Sequence, residues 1–66
     1  MKVFMYEDTI VNLEAVEYIT TDTPDNRRKV QTITFHLRNN KWAMVTLPIS
    51  EVQKTLEEIY SKMVGE

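Results

Sequence analysis

His36 is the only imidazole in this chain, cysteine is absent, and the single glycine, Gly65, lies one residue from the end. Those facts bound the chemistry. A general base needs an orienting partner, and no carboxylate is spaced to hold His36 in place. Thiolate chemistry and multi-histidine metal sites have no residues from which to be built. A phosphate-cradling loop needs glycines, and positions 2 to 64 contain none. Thr32, Thr34 and Thr46 fit a pleated strand better than the role of a nucleophile. Asp22 and Asp25 lack the alternating acids and central glycine of a calcium loop. The sequence therefore nominates no catalytic residue, no metal ligand and no cofactor, and enzymatic activity is not expected.

Two other constellations remain. Residues 27–41 hold Arg27, Arg28, Lys29, Arg38 and Lys41 without an acid, five positive charges. The rest of the chain sets Lys2, Lys54 and Lys62 against ten acids, giving −7 there and −2 overall. Basic residues flanking Trp42 and His36 match, in outline, the basic groove with stacking platforms that single-strand nucleic-acid binders use. The acidic overall balance argues against that partner, because nucleic-acid domains are usually strongly basic. The second constellation is Trp42 and Met44 with Thr34 and His36. If these share an outward strand face, they form the contiguous apolar patch that marks a protein interface.

Which constellation exists depends on the elements that position it. Val3 to Tyr6 is apolar and β-prone, Glu7-Asp8 turns, and Thr9-Ile10-Val11 returns as the second arm of a hairpin. Residues 12–19 carry Leu13, Val16 and Ile19 at near-helical spacing behind a possible cap at Asn12. The strand-like Tyr18-Ile19-Thr20-Thr21 favours instead a turn over 12–15 and a strand over 16–21. Asp22 to Arg28 is a loop of turn formers and solvated residues, with Pro24 holding Thr23 extended.

Val30 to Leu37 is a strand with Ile33, Phe35 and Leu37 on one face and Thr32, Thr34 and His36 on the other. Asn39-Asn40 then reverses the chain, and the turn length decides the faces. A two-residue turn pairs Leu37 with Trp42 and buries Trp42 in the core. A three-residue turn over Arg38, Asn39 and Asn40 places Ala43, Val45 and Leu47 beside Ile33 and Phe35, turning Trp42 and Met44 outward. One residue of slip exchanges the two. Grouping of the aliphatic residues favours the second register, although Asn-Asn alone does not fix the turn type.

Beyond Pro48, Ser50 and Gln53 have capping-box spacing. Val52, Leu56, Ile59 and Met63 form one apolar stripe, with Glu51, Lys54, Glu57, Glu58 and Lys62 opposite it and Gly65 as the stop. The expected fold is α+β: a four-stranded antiparallel curved sheet with one C-terminal helix packed on one face, a single domain over residues 1–66.

A chain of this length buries only about 60% of its unfolded surface. Without disulfide or metal, association is the remaining support, so a homodimer is expected. No apolar run approaches a membrane span. Glu7 and Asp8 come too early for a signal-peptide core, so a cytoplasmic location is expected.

The series Asn12-Leu13-x-x-Val16-x-x-Ile19, then Ile33-x-Phe35-x-Leu37 with Asn39-Asn40-Lys41, then Ser50-Glu51-Val52, resembles small uncharacterised proteins of Gram-positive bacteria and their phages. These run strand, NLxxVxxI, hairpin, helix, and the short flagellar FlbD proteins are similar in layout. The resemblance implies the architecture and no particular activity. Four strands followed by a helix, dimerising, also resembles the transcriptional-coactivator type of single-stranded-DNA-binding domain. That family has Lys-Gly before its last strand, where this chain has Lys41-Trp42. The leading expectation is a non-enzymatic homodimeric interaction or regulatory module using Trp42, Met44, Thr34 and His36. The alternative is a single-stranded nucleic-acid binder using Arg27, Arg28, Lys29, Arg38, Lys41 and Trp42.

Overall fold

A computed structural model describes residues 2–65. In chain order these are β1 (Val3–Tyr6), β2 (Thr9–Asn12), a 3-10 turn (Leu13–Ala15), β3 (Val16–Thr21), β4 (Val30–Leu37), a second 3-10 turn (Arg38–Asn40), β5 (Trp42–Pro48) and α1 (Ile49–Gly65). The architecture is α+β with one C-terminal helix. The strands form a two-stranded sheet, β1-β2, and a three-stranded sheet, β3-β4-β5, both antiparallel. This corrects the single four-stranded curved sheet expected from the sequence.

Residues 12–15 explain the split. The β1-β2 ladder runs on until the Leu13 amide donates to the Lys2 carbonyl at 2.9 Å. The Asn12 side chain then accepts from the Glu14 amide at 3.0 Å, and the 3-10 turn redirects the chain before β3 begins. β3 pairs with β4 and not with β2, and side chains of the β1-β2 hairpin join it to the rest. The Phe4 ring lies 5.7 Å from that of Phe35, and Val11 and Leu13 are buried in the same core.

That core lies against one face of the three-stranded sheet, where Ile33, Phe35, Val45 and Leu47 are buried. The helix supplies Val52 and Ile59, with Leu56 and Met63 partly buried against the cluster, as the stripe requires. Glu58 and Lys62 pair at 3.4 Å. Lys62 also donates to the Val3 carbonyl, and Lys2 donates to the Met63 carbonyl, each at 3.2 Å. These lysines join the end of the helix to β1 and satisfy a carbonyl of its last turn. The capping box does not form. The helix begins at Ile49, one residue before Ser50, and the Gln53 side chain donates to Glu57 at 3.0 Å.

The β4-β5 hairpin adopts the three-residue turn. Asn39 and Asn40 take left-handed φ values of 63° and 60°, a region that Asn tolerates better than most residues. Phe35 then pairs with Ala43 and Ile33 with Val45, while His36 pairs with Trp42 and Thr34 with Met44.

Candidate functional site

This register builds the outer face of the three-stranded sheet, opposite the helix. Three cross-strand rows cover it: Tyr18–His36–Trp42, Thr20–Thr34–Met44 and the pair Thr32–Thr46. Trp42 is 64% exposed, Tyr18 56% and Met44 55%. The expected interface residues Trp42, Met44, Thr34 and His36 are therefore neighbours on one surface. Tyr18 belongs with them, and sequence reasoning missed it. A bulge between Val16 and Tyr18 shifts the register of β3, so simple alternation from Val16 puts Tyr18 on the wrong face.

Polar contacts fix the middle of this face. The His36 and Tyr18 rings stack at 4.2 Å with 9° between their planes. His36 Nε2 lies 2.9 Å from the Thr20 hydroxyl, and the Thr32 and Thr46 hydroxyls lie 3.0 Å apart. The histidine is thus oriented by a hydroxyl and an aromatic ring, and among the described residues no carboxylate bonds it. Around it, Glu17, Tyr18, Lys41 and Trp42 rim an open depression of about 190 Å³. That is below the roughly 300–1,000 Å³ of typical small-molecule sites. Among the described residues no group of three or more His, Asp or Glu is placed to hold a metal ion.

The basic residues do not gather into one patch. Arg38 and Lys41 flank the turn beside the Trp42 row, and the Arg38 guanidinium donates to the Glu14 carbonyl at 2.9 Å. Arg27, Arg28 and Lys29 lie beyond the other end of β4, roughly 24 Å away at about 3.4 Å per residue. There Asp25 organises a tight turn. Its carboxylate accepts from the Arg27 and Arg28 amides at 3.0 and 3.2 Å, and its carbonyl accepts from the Lys29 amide at 2.7 Å. The six residues of the nucleic-acid constellation divide into Arg38, Lys41 and Trp42 at one end and Arg27, Arg28 and Lys29 at the other.

No helix among the described residues is long and apolar enough to cross a membrane. Scans against protein-family models, curated proteins and solved structures return no match for this chain.

Proposed function

We propose that the protein is a small non-enzymatic homodimeric interaction module whose working surface is the outer sheet face. The observation that carries this reading is the exposure of Tyr18, Trp42 and Met44 around a fixed His36. Large aromatic and Met side chains held on a strand scaffold are the residue types enriched at protein interfaces. The sheet fixes their backbone positions in advance. A core built from so few residues also gains from association. Sedimentation at micromolar concentration is expected to give about twice the 7.8 kDa chain mass, and Trp42→Ala to shift the equilibrium toward monomer. A monomer at every concentration overturns the homodimeric reading.

The Tyr18–His36 stack beside Trp42 also favours a second reading, single-stranded nucleic-acid binding. Aromatic rings in a row on a sheet can each accept a base. The two basic ends predict how it would look. Engagement of Arg38 and Lys41 alone gives a log–log salt slope of about −1.4, and engagement of all five cations gives about −3.5. Titration of a labelled oligonucleotide at low salt tests it, and absence of micromolar binding there removes it.

A further inference from the structure

We infer that two copies join through the open edge of β5, antiparallel about Met44, so that their three-stranded sheets form one continuous sheet. This rests on the homodimeric reading and adds the mode of association. The hydrogen-bond phase of the β4-β5 ladder carries the inference. At one end the Leu37 amide donates to the Lys41 carbonyl at 2.8 Å, and at the other the Ile49 amide donates to the Lys29 carbonyl at 3.0 Å. In an antiparallel pair, residues alternate between bonding the partner strand and pointing away from it. Both ends therefore set the same phase. Ala43, Val45 and Leu47 bond β4, while Trp42, Met44 and Thr46 aim their backbone amides and carbonyls at the open edge.

This edge differs from the others. β3 carries a bulge and Glu17 at its start, two devices that discourage edge pairing. β1 and β2 are four residues each, and the edge of β1 is engaged by Lys62 at the Val3 carbonyl. β5 has seven residues and no charge. Pro48, which has no amide to donate, ends its pairing segment, and the Arg38–Asn40 turn bounds the other end. The outward-pointing set 42, 44, 46 is symmetric about Met44. A second copy placed by a two-fold axis there sets Met44 against Met44 and Trp42 against the other copy's Thr46. Every outward amide then meets a carbonyl, as a self-complementary contact requires. Because the side chains of these residues all lie on the outer face, the pairing also joins the two aromatic rows into one surface.

Amide exchange by NMR on the unmodified chain, at concentrations bracketing dimer formation, tests the pairing directly. In the monomer, Trp42, Met44 and Thr46 exchange faster than Ala43 and Val45. Where nine-tenths of the chain is dimer, exchange of the outward set through residual monomer slows about tenfold, and the alternation is lost. In the cysteine-free chain, Met44→Cys is expected to form an intermolecular disulfide under mild oxidation. A Cα spacing of about 5.5 Å across such a pair suits the bond. Thr46→Cys is expected to remain a thiol, because its own copy lies too far away. A dimer that keeps the alternation, or that crosslinks through Thr46→Cys and not Met44→Cys, overturns the Met44-centred edge and leaves the homodimeric reading intact. A monomer throughout overturns both.

Discussion

The two faces of the three-stranded sheet are made by the same strands and have opposite fates. Ile33, Phe35, Val45 and Leu47 are buried beneath the hairpin and helix, while Thr32, Thr34, His36, Trp42, Met44 and Thr46 form the opposite face. On the inner side, apolar volume is matched to a neighbour and produces stability. On the outer side, Tyr18, Trp42 and Met44 remain more than half exposed, with neighbours only along the sheet. Burial, rather than residue type, separates the two sets of hydrophobic side chains here. Trp42 faces away from the helix and has only its cross-strand neighbours to pack on.

The largest expected effect breaks the inner face. Phe35 is fully buried and packs against Phe4, so Phe35→Ala is expected to cost about 3–5 kcal/mol. A domain of this size has about 3–10 kcal/mol in total, so the variant is expected to be largely unfolded by circular dichroism at 25 °C. Next comes the helix side of the same core. Ile59→Ala is expected to lose about 2–5 kcal/mol in denaturant titration, and a loss under about 0.5 kcal/mol would contradict its burial. Trp42→Ala belongs to the other face. Measured at dilutions where the chain is monomeric, its effect on stability is expected to stay within about 0.5 kcal/mol. A large loss from Trp42→Ala would remove the distinction between the faces.

How far these faces were legible in the sequence differs by element. Alternation over Val30–Leu37 and the 52-56-59-63 stripe gave the buried sides directly, because one period governs each. Grouping Ala43, Val45 and Leu47 favoured an outward Trp42 without fixing it; the structure settles the register with two left-handed Asn residues. The split into two sheets was not legible, because alternation says which face a strand buries and nothing about which strand it pairs with. Tyr18 was hidden by the bulge at Glu17. The capping box failed because its spacing ignores the frame set by Pro48, after which the helix starts at once. The division of the basic residues follows from the length of β4: charges close in sequence lie far apart when an extended strand separates them.

The smallest expected effect lies at the rim of the inner layer. Tyr6 packs against the core from β1. Its phenol is raised above the ordinary value of 10.0, first by loss of solvent and then by the Glu7 and Glu51 carboxylates. Loss of solvent and nearby negative charge both disfavour phenolate, so the folded chain holds this proton more tightly than the unfolded one. Between the two pKa values the folded state binds more protons, and stability falls with rising pH. The contribution is complete below pH 10 and is lost as pH rises through the folded value. Other tyrosines and the lysines titrate in the same range, so the readout is the difference between the protein and Tyr6→Phe. Thermal melts from about pH 8 to pH 11 are expected to decline more steeply for the protein than for the variant. Parallel curves would mean that the Tyr6 phenol holds its proton equally well in the folded and unfolded chains.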